Sequence, residues 1–138
     1  MPAPGPEECR ILNSMAELDR LFQVAGSPYH GLDLDHGFLA CLAGEEPCQV
    51  IRHFGQQGRI LSVRLCNLRR TNGGFEEHFP DEDRAALLKA LQAYRDVGFE
   101  GPLRHVLAPA MDDETPWQHK GQAFGIGYLR ALLQVIDY

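Results

Sequence analysis

VGFEGPLRHVLAPAM (Val97 to Met111), followed after a short acidic loop by GQAFGIGYLRALL (Gly121 to Leu133), decides the fold. In order it reads as a helix end, a turn at Gly98, a buried strand over Pro102–Leu107, a stop at Pro109, a loop and a last helix over Gly121–Ile136. Working outward toward the N-terminus, the same strand-then-helix unit recurs. RILSVRLCNL (Arg59 to Leu68) is the strongest strand: Leu61, Val63 and Leu65 line one face, and Ile60, Ser62, Arg64 and Cys66 the other. The first face calls for packed helices; the second, mixed and small, suits a lining whose strand end carries function. GLDLDH (Gly31 to His36) alternates in the same way, with Leu32 and Leu34 opposed to Asp33 and Asp35. Two acids on one face are costly if buried unpaired, so that face meets water, a partner cation or a polar interior.

Helices alternate with these strands. Ser14 and Glu17 form a capping box ahead of an apolar stripe of Met15, Leu18, Leu21, Phe22 and Ala25, which Gly26 and Pro28 close. GFLACLAG (Gly37 to Gly44) is a loop or one extra turn of helix. Glu46 and Pro47 open the next helix, whose apolar face is Val50, Ile51 and Phe54. TNGG (Thr71 to Gly74) is a turn and FEEHFPDED an acidic loop; a helix follows over Asp81–Val97. Met1–Arg10 reads as a disordered leader and residues 11–138 as one domain.

Alternating strands and helices imply parallel strands joined by right-handed crossovers. A repeat of roughly 35 to 40 residues fits (β/α) barrel units, but about three strands cannot close a barrel of eight. The expectation is an α/β fold: an open layer, or a partial (β/α)8 TIM barrel completed by another chain.

A net charge of −6 leaves no basic stripe for phosphates, which excludes nucleic acid as a partner. No apolar run is long enough to span a bilayer, and MPAPGPEECR lacks the basic and apolar regions of a signal peptide, so a cytoplasmic, non-membrane protein is expected. Cys9, Cys41, Cys48 and Cys66 lack the close pairing of a structural zinc site and read as free thiols.

Several stretches resemble the C-terminal part of mannonate dehydratases, metal-dependent (β/α)8-barrel lyases. SPYHGLDL, IRHFGQQGRILSVRLCNLR, GGFEEHFPDED, VGFEGPLR, Pro109–Met111 and GQAFGIGYLRALL occur in the family's order. The likeness runs from Ser14 to the end and covers less than half of the family's barrel. It implies dehydration of D-mannonate to 2-keto-3-deoxy-D-gluconate in hexuronate breakdown, with Mn²⁺ or Fe²⁺ to acidify the proton beside the carboxylate.

The resemblance also marks where this chain departs. The family's strand-end Cys falls on Asp35, its His on Arg64, its Asp-His pair on Val106 and Leu107, and a loop Tyr on Trp117. Carboxylate can replace thiolate as a ligand, whereas arginine, valine and leucine cannot ligate. Asp35 and the adjacent His36 remain as metal candidates. A shifted register makes His105 the surviving active-site histidine; otherwise it is an outward strand residue bonded to backbone. Arg64 is a candidate for the substrate carboxylate, or the partner of Asp33 or Asp35 across adjacent strands. His78 is a substrate-side candidate or a solvated loop residue. The resulting expectation is a diverged homologue with a broken metal site and little turnover alone. The alternatives are a non-catalytic subunit that completes a barrel with another chain or pairs with itself, and a sugar-acid binder.

Overall fold

The computed structural model describes residues 12, 14–40, 42, 44–72, 74–106 and 108–137. The expected leader lies outside these residues, as do Cys9, Cys41 and Leu107. The order of elements is α1 (Met15–Val24), β1 (Leu32–Asp35), α2 (His36–Leu39), α3 (Pro47–Gln56), β2 (Ile60–Leu65), β3 (Asn67–Thr71), β4 (Gly74–His78), α4 (Arg84–Asp96), β5 (Leu103–His105) and α5 (His119–Val135). Strands β1, β2 and β5 form a three-stranded parallel sheet in that order. The α/β class and the three parallel strands are therefore as expected.

Local chemistry sets the helix starts. Ser14 Oγ accepts the Glu17 N–H at 3.3 Å, and Leu18 and Phe22 bury the stripe of α1. Glu46 accepts the Gln49 N–H at 3.1 Å ahead of Pro47, whose missing N–H costs nothing in the first turn. Asp83 caps α4. The ambiguous stretch after β1 opens with one turn of helix, α2, started by Asp35, which accepts the Gly37 N–H at 2.7 Å.

The helix-packed face of the sheet is Leu34, Val63 and Leu65, all nearly or fully buried against Val50, Ile51, Phe54, Leu91 and Tyr94. Two strand readings need correction. Leu61 was assigned to this face but is 54% exposed, while Ile60 is buried. Leu32 pairs with Ile60 and Asp33 with Ser62, so Leu61 is the extra residue of a bulge and loses its place in the alternation. Two glycines clear room for it: a Cβ at Gly31 would stand 2.4 Å from Leu61 Cγ, and one at Gly101 2.6 Å from the Leu61 carbonyl oxygen.

The second correction concerns the end of β2 and the acidic loop. Asn67–Thr71 and Gly74–His78 form an antiparallel hairpin, with Arg69 opposite Glu76 and Leu68 opposite Glu77. The Asn72–Gly73 pair is a two-residue hairpin signal, and opposed charges across the strands suit that register. Strand β2 consequently ends at Leu65 rather than running on to Leu68. No helix among the described residues is long and apolar enough to cross a membrane.

Candidate functional site

After the bulge, alternation along the parallel strands puts Asp33 and Asp35, Ser62 and Arg64, and Arg104 on the face of the sheet away from the core. Asp35 is in register with Arg64, and Arg64 with Arg104. The side chains meet accordingly. Arg64 Nε lies 3.0 Å from Asp33 Oδ2, although off the line of a hydrogen bond, and an Arg64 terminal nitrogen lies 3.1 Å from Asp35 Oδ2. Arg104 donates to both oxygens of Asp33, at 3.3 and 3.2 Å. The Ser62 hydroxyl donates to Asp33 Oδ1. That hydroxyl foremost, aided by the charges of Arg64 and Arg104, holds the Asp33 carboxyl below its ordinary value against the opposing cost of burial. The cluster borders a cleft of about 480 Å³ walled by α1, α2 and the hairpin, through Leu18, Phe38, Leu68 and Phe75.

The other named residues lie elsewhere. His36 begins α2, and its Nε2 shares a 3.0 Å hydrogen bond with the Tyr94 hydroxyl. Burial pushes its imidazole down to about 4, against an ordinary value of 6.5, with Asp35 opposing the shift. The ring is therefore neutral at pH 7. His105 shares the parity of Leu103, and so falls on the side of Val63 and Leu65. Its Nδ1 is 3.0 Å from Gln122 Oε1, and its ring packs where a Cβ on Gly125 would stand. It is a part-buried residue of the helix-packed face, bonded to a side chain of α5 rather than to backbone. His36 and His105 both line a mostly apolar cavity of about 210 Å³ between the sheet, α4 and α5. His78 sits at the hairpin end, its Nδ1 2.6 Å from Glu82 Oε2; Glu76 is 3.6 Å from its Nε2, beyond hydrogen-bond reach.

Of the residues singled out from sequence, the structure thus brings Asp35 and Arg64 together and sets His36, His105 and His78 apart from them. Two members of the cluster were not singled out, Ser62 and Arg104; Asp33 was named as a partner of Arg64 but not as an acceptor shared with Arg104. Their signal was parity, since Arg104 occupies the same phase of its strand as Arg64. Cys66 lies beside the cluster, its Sγ 3.9 Å from Asp35 Oδ1. Burial and the Asp35 carboxylate push its thiol up to about 12, so it is no nucleophile at neutral pH.

A divalent metal does not fit this donor set. Among the described residues no three His, Cys, Asp or Glu side chains converge. All four oxygens of Asp33 and Asp35 already face a donor: Ser62, Arg104, Arg64 or the Gly37 N–H.

These features define an α/β protein with helices packed on one face of a parallel sheet and a self-paired charge cluster on the other. A family model described as D-mannonate dehydratase (UxuA) matches residues 2–138, and the chain belongs to that family. It is 38% identical over 139 residues to mannonate dehydratase 2 of Halalkalibacterium halodurans, covering 93% of this chain and 39% of the relative. Against mannonate dehydratase of Thermotoga neapolitana it is 30% identical over 101 residues, 69% of this chain and 27% of the relative. The crystal structure of mannonate dehydratase from Streptococcus suis serotype 2 shares the fold with a TM-score of 0.74 at 16% identity, over 88% of this chain and 36% of that one. The chain thus spans about two-fifths or less of the length of these proteins.

Proposed function

We propose that this chain forms a C-terminal sector of a (β/α)8 barrel of the mannonate dehydratase kind. The Asp33–Arg64–Arg104 face is the barrel lining and takes the carboxylate of a sugar acid such as D-mannonate. The observation that carries this reading is the division of the sheet: helices cover one face, and fixed charges with an adjacent cleft occupy the other. That is how a barrel strand divides its outside from its inside.

Arg104 is 55% exposed and, among the described residues, engages only Asp33 through one terminal nitrogen, which leaves the rest of its fork for a carboxylate. Arg64 keeps 39% exposure beside it. The family's dehydration draws on Mn²⁺ or Fe²⁺, and because the cluster does not fit such an ion, this sector alone recognises the sugar acid without converting it.

The test is calorimetric titration with D-mannonate alongside an assay for the 2-keto-3-deoxy product in the presence of Mn²⁺ or Fe²⁺. Binding heat that Arg64→Ala removes, with no product, is the expected result. Product formation by this chain alone overturns the reading of a silent sector, and absence of heat overturns recognition.

A second reading rests on the sheet edges. Among the described residues, β1 and β5 each pair on one side only. Unpaired parallel edges need cover, which favours a homo-oligomer or a complementary half-barrel chain. Light scattering that returns a stable monomer defeats it.

A further inference from the structure

The charge cluster carries an inference that does not rest on sugar-acid recognition. Asp33 and Asp35 are two residues apart on one strand and point to one side, as a pair of metal-binding carboxylates would. Between them stands a guanidinium. Arg64 reaches Asp33 Oδ2 with Nε at 3.0 Å and Asp35 Oδ2 with a terminal nitrogen at 3.1 Å. One cation therefore bridges both acids. Arg104 adds a second positive group on Asp33 from β5.

Formally, two negative and two positive charges cancel, so the cluster offers a further cation no net attraction. The geometry opposes one as well. A divalent ion requires several oxygens at about 2.0–2.6 Å from one centre. Here the oxygens turned toward one another are spaced by a planar group of donors that cannot ligate a metal. The remaining oxygens are committed: Asp35 Oδ1 accepts the Gly37 N–H at 2.7 Å as the cap of α2, and Asp33 Oδ1 accepts from Ser62. The imidazoles nearest in sequence, His36 and His105, are engaged with Tyr94 and Gln122.

We propose that Arg64 is the resident cation of this face. It fills the position between Asp33 and Asp35 that a divalent metal would otherwise take, and it keeps the native chain metal-free there. A prediction follows that a purely solvated ion pair would not make: removing the guanidinium uncovers a carboxylate pair with affinity for a hard divalent ion.

The test uses the full chain titrated with Mn²⁺ alone, with free ion followed by its electron paramagnetic resonance signal. The parent should deplete none of that signal. Arg64→Gln, its fold checked by circular dichroism, should bind Mn²⁺ at least about tenfold more tightly than the parent. Adding Asp35→Asn should abolish the gain, and Arg64→Lys, which keeps the charge, should show none. Arg64→Met carries the same expectation as Arg64→Gln and replaces it if that variant does not fold. Stoichiometric Mn²⁺ bound by the parent, or a folded Arg64→Gln or Arg64→Met with no gain in affinity, overturns the proposal.

Discussion

The two faces of the same three strands are held by different physics. On the helix side, Leu34, Val63 and Leu65 retain 2% of their surface or less, closed over by Phe54, Leu91 and Tyr94. On the open side, Asp33, Arg64 and Arg104 keep 43%, 39% and 55% of their side chains in water. Apolar burial supplies most of the folding free energy, and exposed ion pairs supply little. Stability therefore resides on one face and exposed fixed charge on the other. The open face can change its charged residues without endangering the fold, so the family architecture does not by itself dictate what this face binds.

The contrast is most easily broken on the helix side. Phe54 is fully buried between α1 and the sheet, in ring contact with Phe22 and His53. Phe54→Ala removes that ring and leaves a cavity, and should cost about 3–5 kcal/mol, read from the urea midpoint. A loss of well under 1 kcal/mol would mean that the helix layer does not carry the fold.

Acid sharpens the same comparison, because the faces titrate in separate windows. The His36 imidazole is held down at about 4 in the fold against 6.5 when unfolded. Between those values the unfolded chain binds a proton that the folded chain refuses, so this contribution is present above 6.5 and is lost as pH falls toward 4. It is no more than about 3 kcal/mol, since the residue keeps part of its surface in water. Asp33, also depressed, contributes above the ordinary carboxylate value and loses its contribution lower down, as pH falls through its folded value. Urea midpoints across both windows should fall in the upper one for the parent, and His36→Gln should flatten that limb alone. An unchanged slope in the variant would remove His36 from the account.

A smaller effect tests the joint between the faces. Gly31→Ala sets a Cβ 2.4 Å from Leu61 Cγ and 2.8 Å from the Arg59 carbonyl oxygen, and overpacking of this kind costs about 1–3 kcal/mol. Leu61→Ala should recover part of it, because the Leu61 side chain is exposed and its own loss is cheap. No recovery in the double variant would place the strain wholly on the Arg59 backbone.

That joint also marks where the sequence ceased to be legible. Capping at Ser14 and Glu46 and the alternation in Asp33–Asp35 are local signals, and the elements they define formed where expected, whereas α4 begins at Arg84 behind its Asp83 cap, three residues after its expected start. The bulge is not local. Leu61 leaves the alternation because Asp33 pairs with Ser62 and because Gly31 and Gly101 stand close on either side, facts that belong to three strands at once. The hairpin was legible in Asn72–Gly73 but was masked by the acidic run that follows. In the cluster, an Arg64 partnership with Asp33 or Asp35 could be read from the shared polar face; that Arg64 holds both, and that Arg104 joins from β5, depends on register. His105 was left open between two readings, and its parity with Leu103, set by the pairing of β5 with β2, decides which face it takes.

The least costly change is the most discriminating. Arg104→Ala removes a donor that reaches Asp33 at 3.2 and 3.3 Å from an exposed position, while Ser62 and Arg64 stay in place. Pairs exposed to this degree contribute up to about 1 kcal/mol, less as salt is added. The stability change should therefore be at the edge of detection. The Asp33 carboxyl should nevertheless rise toward its ordinary value, since the charge of Arg104 is one of the causes that hold it down. A carboxyl-detected NMR titration of Asp33 reads this directly. A large stability loss on Arg104→Ala, approaching that of Phe54→Ala, would show that the open face carries the fold after all. An Asp33 titration that does not move would mean that Ser62 and Arg64 suffice, and that Arg104 is free for a ligand.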